Sequence, residues 1–240
     1  SFGVQEYVVS DGRGARKLDD SLEVSPSVYL GALGMPGLTA YFGLYEIGAL
    51  KDGETVVVSG AAGAVGTVVG QLAKRRGCRV VGIAGGPEKC SMVVDELGFD
   101  ACIDYRSGDV RRALREHCPD GIDVYFDNVG GEILDAALAN IARKARVVIC
   151  GAISQYNAES PPVGPGNYLA LLVRSARMEG FVVFDFADRY PEAFPVLAAA
   201  VADGSLKIKE HVVQGEIDDF PQTLQMLFDG KNTGKLVLEL

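Results

Sequence analysis

Thr55-Val56-Val57-Val58-Ser59-Gly60-Ala61-Ala62-Gly63-Ala64-Val65-Gly66 decides the fold. The apolar, β-branched run predicts a strand buried on both faces. Glycines follow at 60, 63 and 66. They permit a tight turn and the close approach of a pyrophosphate to the start of the next helix. There unpaired N–H groups and the helix dipole favour an anion. A glycine string alone is a weak signal; a strand before it and a helix after it make it a dinucleotide turn.

Outward from this turn, strands and helices alternate. The pattern predicts a helix to about 76–77, a strand 79–84, a helix 87–97, a strand 101–104, a helix 110–117, a strand 122–127, a helix 131–141 and a strand 146–150. Such β-α-β repetition means an α/β, Rossmann-type doubly wound parallel sheet. Beyond it come a Pro/Gly/Asn-rich loop 151–166, a strand 178–184 and a helix 191–202. A strand 208–213, a helix 220–228 and a strand 236–240 end the chain. Upstream, a strand 5–9 and a helix 35–50 interrupted near Gly34, Pro36 and Gly37 are expected. The implied divisions are 1–33 (connection to a second domain), 34–203 (dinucleotide-binding domain) and 204–240 (C-terminal return segment).

The 240 residues carry a net charge of -9, which excludes the basic footprint of a nucleic-acid binder. No charge-free apolar run reaches the roughly 18 residues of a membrane span. The first residues lack the basic-then-apolar pattern of a signal peptide. Cys78, Cys90, Cys102, Cys118 and Cys150 are odd in number and widely spaced, so free thiols and a cytoplasmic location are expected. His117 and His211 are the only histidines, and neither joins a metal-ligand spacing, so no metal site is expected. Tyr-x-x-x-Lys and Gly-x-Ser-x-Gly are both absent, against a short-chain dehydrogenase and a hydrolase.

The second strand indicates which dinucleotide. An NAD site places Asp or Glu at its end, on the ribose 2′-OH. Here the strand runs into Ala84-Gly85-Gly86-Pro87, with Lys89 close behind. Small residues and a nearby cation favour the 2′-phosphate of NADPH. The same gap counts against an S-adenosylmethionine site, which wants an acid there.

Four further strings complete the reading: Gly34-Met35-Pro36-Gly37-Leu38-Thr39-Ala40-Tyr41-Phe42-Gly43-Leu44, Tyr125-Phe126-Asp127-Asn128-Val129-Gly130-Gly131, Cys150-Gly151-Ala152-Ile153-Ser154, and Gly230-Lys231-Asn232-Thr233-Gly234-Lys235. With the glycine turn, they resemble the zinc-independent medium-chain dehydrogenase/reductases, in the branch of prostaglandin reductases (leukotriene hydroxydehydrogenases), alkenal double-bond reductases and curcumin-reductase-like enzymes. The resemblance implies NADPH-dependent reduction of the C=C bond of α,β-unsaturated ketones and aldehydes by hydride transfer to the β-carbon. It implies cofactor contacts at Gly63, Ala64, Val65 and Gly66; at Gly85, Lys89 and Tyr105; at Asn128; at Cys150, Gly151, Ala152, Ile153 and Ser154; and at Phe181, Val182, Val183 and Asn232. Tyr168 and Tyr156 are the candidate catalytic donors to the developing enolate oxygen. Met35 and Tyr168 are the candidate substrate contacts, and residues 161–166 a lid. Relatives join sheet edges, so a homodimer through residues 180–184 is expected. The family also carries an N-terminal GroES-like β-barrel, so the chain is expected to hold only remnants of it. The competing readings are a quinone oxidoreductase of the same superfamily and a non-catalytic NADPH-binding fragment.

Overall fold

The computed structural model describes residues 4–13, 15, 17–18, 22–156, 161 and 163–240. Its elements run α1 (Met35–Phe42), β1 (Thr55–Ser59), α2 (Gly66–Arg75), β2 (Arg79–Ala84), α3 (Pro87–Ser91), β3 (Ala101–Asp104), α4 (Val110–His117), β4 (Ile122–Asp127), α5 (Gly131–Leu138), β5 (Ile141–Ile149), α6 (Leu169–Arg174), β6 (Arg177–Gly180), α7 (Tyr190–Ala202), β7 (Glu210–Gln214), α8 (Phe220–Phe228) and β8 (Lys235–Glu239). Six strands form one parallel sheet in the order β3-β2-β1-β4-β5-β6.

The order reverses between β1 and β4, which opens a crevice at the carboxyl ends of those strands. The valine run explains why β1 is central. Val56, Val57 and Val58 are wholly buried. Val56 and Val58 face one core with Val124 and Phe126; Val57 faces the other with Val81, Tyr125 and Val147. A strand covered on both faces has no room for polar alternation. Helix α2, which follows the glycine turn, is buried from Gly66 through Ala73. At Gly70 a Cβ would lie 1.8 Å from the Phe99 ring, so only glycine lets helix and loop close up.

A second, two-stranded parallel sheet pairs β7 with β8, and α8 crosses between them. Hydrogen bonds to the helix and turn that follow β1 help tie it to the main sheet. Gln71 donates to the Lys207 carbonyl (3.1 Å) and accepts from the Lys207 amide (2.8 Å). The Gly234 amide donates to the Ala62 carbonyl at 2.7 Å.

Several expected boundaries move, each for a packing reason. Residues 5–9 form no strand: Tyr7 is 88% and Val9 99% exposed, and a strand that buries no apolar side chain is not stabilised. Pro36 does not break α1; it sits in the first turn, where its missing N–H costs nothing. The helix changes instead at Gly43, widening into a π turn, Gly43–Ile47, against the rings of Phe126 and Phe181. The helix expected over 87–97 likewise becomes α3 followed by a π turn, Met92–Glu96. The strand expected over 146–150 starts earlier, at Ile141. The strand expected over 178–184 stops at Gly180, because Phe181 turns into the core and a 3-10 turn, Val183–Arg189, follows.

One buried ion pair fastens the α1 end of the molecule. Arg146 of β5 pairs with Glu54 and donates to the carbonyls of Gly48 (2.7 Å) and Ala49 (3.3 Å). Both side chains are less than 15% exposed.

Candidate functional site

The glycine turn splits its work among three residues. Gly60 holds a positive φ of 61° and reverses the chain. Gly66 permits contact: a Cβ there would lie 2.2 Å from the Gly60 carbonyl oxygen and 2.8 Å from the Ala61 Cα. Gly63 meets only the Gly60 oxygen, at 3.2 Å, and otherwise faces open space. Among the described residues the amides of Ala64, Val65 and Gly66 have no acceptor. These amides, an open glycine and the start of a ten-residue helix fit a pyrophosphate.

At the end of β2, four residues converge. Gly85 leaves space that a Cβ would fill, 2.8 Å from the Tyr105 hydroxyl and 2.9 Å from Arg106 Nε. The Arg106 guanidinium lies 5.8 Å from the centre of the Tyr105 ring. Lys89 is half-buried; burial first, and the Arg106 charge second, hold its ammonium below the ordinary lysine value. Two cations and a phenol fit a phosphate. The sequence gives β2 no acid of its own, but the register sets Asp104 of β3 beside Ala84. One oxygen of that carboxylate is engaged: its Oδ1 accepts from the amides of Gly86 (2.8 Å) and Arg106 (3.0 Å). These bonds hold Asp104 below the usual carboxylate range. Arg106 was not singled out in the sequence. Its signal was position, immediately after Tyr105 at the carboxyl end of a sheet strand.

At the end of β4, Asn128 bridges to β1. Its backbone N–H donates to Ser59 Oγ (2.9 Å) and its side-chain N–H to the Ser59 carbonyl (2.7 Å). The buried Asp127 carries the turn: its Oδ1 accepts from Ser59 Oγ (2.8 Å), the Tyr125 hydroxyl (2.9 Å) and the amides of Val129 and Gly130 (both 3.0 Å). Burial, with the Asp127 charge beside it, pushes the Tyr125 hydroxyl well up.

The strap 150–156 lies alongside this turn. Cys150 and Gly151 donate to the Asp127 carbonyl, Ile153 to that of Asn128, and Ser154 to that of Val129. Burial pushes the Cys150 thiol up to about 12. The Tyr156 hydroxyl accepts from the Ala152 amide at 3.1 Å while its ring stays exposed. The structure thus brings Asn128, Cys150, Gly151, Ala152, Ile153, Ser154 and Tyr156 together.

A cleft of about 720 Å³ opens behind the strap, lined by Gly130, Gly151, Ala152 and Gln155 and by the segment 163–167. Asn167 anchors that segment on α5, donating from its backbone and side chain to the Asp135 carboxylate (2.7 and 2.8 Å). Tyr168 follows directly and is exposed. Residue 162 of the expected lid lies outside the described residues, as do 157–160.

The remaining candidates sit on other elements. Phe181 and Val183 pack in the core, Phe181 against Phe126 and Val183 with Phe42 and Ala193. Val182 is exposed between them, and Met35 is exposed at the first residue of α1. Asn232 is buried and turned onto its own loop, donating to the Gly234 carbonyl at 3.0 Å. That loop meets the glycine turn, with Gly63 and Gly234 forming a β-bridge.

Comparison with known proteins matches this arrangement. A family model described as zinc-binding dehydrogenase covers residues 64–199. Among the described residues no group of three or more His, Cys, Asp or Glu could hold a metal ion. NADPH-dependent curcumin reductase of Escherichia coli is 42% identical over 243 residues, covering 99% of this chain and 70% of its own length. The NADP-dependent 2-alkenal reductase of Nicotiana tabacum is 43% identical, covering 98% of this chain and 68% of its own. The crystal structure of CurA from Vibrio vulnificus, in complex with NADPH, superposes with a TM-score of 0.84 at 46% identity, over 89% of this chain and 65% of that one. The chain belongs to the medium-chain dehydrogenase/reductase family, in the branch that holds the curcumin and 2-alkenal reductases.

Proposed function

We propose that this chain binds NADPH and that the protein reduces the C=C bond of α,β-unsaturated ketones and aldehydes. The observation that carries the cofactor is the end of β2, where Gly85, Lys89, Tyr105 and Arg106 form a cationic pocket and Asp104 Oδ1 is taken up by the Gly86 and Arg106 amides. The pyrophosphate belongs on the amides of residues 64–66, and the nicotinamide end beside Asn128 and the strap 150–154. When bound, NADPH supplies the hydride that reaches the β-carbon of the substrate.

The chain's own work is placement and charge. Asn128 gives its backbone N–H and one side-chain N–H to Ser59, which leaves its side-chain oxygen to accept from a ligand. The Tyr156 hydroxyl accepts from Ala152, so its own proton is free to be donated. Tyr168 is held near the cleft by the Asn167–Asp135 anchor. We assign Tyr168, with Tyr156 as second donor, to the enolate oxygen of the substrate. Exposed Met35 serves the apolar part of the substrate.

The outer strand β6 has a free edge in the sheet, and Leu172, Val173, Val182 and Phe184 are all more than half exposed around it. This supports a homodimer joined at β6. No helix of the described residues is long and apolar enough to cross a membrane, and a cytoplasmic location is part of the same reading. Residues 34–203 form the dinucleotide-binding unit, and 204–240 the return segment of a second one. The test is consumption of NADPH with an aliphatic enone, an enal and a quinone in parallel. Turnover of the enone and enal is expected. Turnover of the quinone alone would move the chain to the quinone branch, and NADPH binding without any turnover would leave a binding fragment.

A further inference from the structure

We propose that Gly230 is a positioning residue of the nucleotide site, its carbonyl oxygen fixing the Lys89 ammonium where the adenosine 2′-phosphate binds. The inference rests on the reading of Lys89 as a cation for that phosphate. Lys89 Nζ donates to the Gly230 oxygen at 2.8 Å across 141 residues of sequence. Lysine has three N–H donors and long, freely rotating torsions. One donor given to a fixed carbonyl holds the head in place and leaves two for a ligand. Ordering this side chain in advance removes part of the entropy that binding would otherwise cost.

The carbonyl is itself well fixed. Gly230 follows α8 with a φ of 62°, its amide bonded to the Leu227 carbonyl (3.2 Å) and the Lys231 amide to that of Met226 (3.0 Å). This is a left-handed helix stop that glycine alone adopts without strain. Asp229 and Lys231, the charged neighbours of Gly230, pair with each other at 2.8 Å. Four residues on, Gly234 donates to Ala62 and bridges Gly63. One short segment therefore touches both ends of the phosphate-binding surface, the glycine turn and the Lys89 head. Burial first, and the like charge of Arg106 second, disfavour the Lys89 ammonium. A carbonyl acceptor offsets part of that cost until a phosphate arrives.

The test compares adenosine 2′,5′-bisphosphate with adenosine 5′-monophosphate by calorimetry; the ratio of the two Kd values isolates the 2′-phosphate. Gly230→Val, β-branched and unable to keep the positive φ cheaply, re-aims the carbonyl. We expect the ratio to fall about tenfold, the worth of one hydrogen bond to a charged group, with the monophosphate Kd held within twofold. In a Lys89→Met background the same change should do nothing further. Above pH 7 the phosphate is a dianion. The ratio should then fall as pH rises through the lowered Lys89 value, and Gly230→Val should move that fall to lower pH. A Gly230→Val ratio equal to wild type, or an undiminished effect in Lys89→Met, overturns the role of Gly230. A ratio unchanged in Lys89→Met alone overturns the underlying reading of Lys89. Where Gly230→Val does not fold, side-chain ammonium NMR of the unaltered chain decides. A Lys89 resonance protected from exchange supports the contact, and a freely exchanging one refutes it.

Discussion

Gly66 and Gly63 differ by three positions, yet they predict different failures. In Gly66→Ala the new Cβ would lie 2.2 Å from the Gly60 oxygen and 2.8 Å from the Ala61 Cα. Ordinary contact begins near 3.4 Å, so backbone must move by about 1 Å, and no flexible side chain is there to yield. Overpacking of this kind costs about 2–3 kcal/mol. For a chain of this size each kcal/mol is worth roughly 2–4 °C, so the melting temperature should fall by about 4–12 °C. NADPH affinity should fall with it, because the turn opens. In Gly63→Ala the added methyl meets one oxygen at 3.2 Å, and the φ of Gly63 is not positive. The fold should lose less than about 1 kcal/mol. The methyl nonetheless stands where the pyrophosphate approaches, displacing charge-assisted hydrogen bonds worth about 1.5–3 kcal/mol. That is roughly a 10- to 100-fold rise in the NADPH Kd at nearly constant melting temperature. Thermal denaturation by circular dichroism and titration of NADPH fluorescence measure the two effects separately. A Gly66→Ala protein with unchanged melting temperature and Kd would refute the close-contact argument. A Gly63→Ala protein binding NADPH normally would refute the placement of the pyrophosphate.

Three other outcomes are expected. Arg146→Met leaves Glu54 buried without its partner and should cost about 3–5 kcal/mol, read as a drop in thermal stability; adding Glu54→Gln should restore part of it, and no recovery would deny the coupling of the pair. Tyr168→Phe should lower turnover on an enone while the NADPH Kd stays the same; unchanged turnover removes Tyr168 from the chemistry. Burial raises all five thiols, Cys118 to about 11 and Cys150 to about 12, so few thiolates exist at neutral pH. Mass spectrometry after incubation with excess alkenal should find these cysteines largely unmodified at pH 7, with adducts increasing as pH rises; rapid labelling at pH 7 would contradict the burial argument.

The sheet was legible because its strands are buried on both faces, and such strands must be written in unbroken apolar runs. Val56, Val57 and Val58 could face only core. The glycine turn was legible because glycine alone tolerates the geometry at Gly60 and Gly66. What eluded the sequence lay in contacts distant along the chain. Nothing local says that Phe181 will fold onto Gly43 and end β6, or that Tyr7 and Val9 in the strand expected at 5–9 will stay exposed. Arg106 becomes visible only once β3 lies beside β2. The link from Lys89 to Gly230 spans most of the chain, and no spacing rule reaches so far.

In this reading the pocket of Lys89, Tyr105 and Arg106 recognises a 2′-phosphate. Calorimetric titration of the purified protein with NADPH and with NADH tests it most directly. NADPH should bind at least about tenfold more tightly, the worth of one or more charge-assisted hydrogen bonds. Equal affinity for the two cofactors, or tighter binding of NADH, would contradict it.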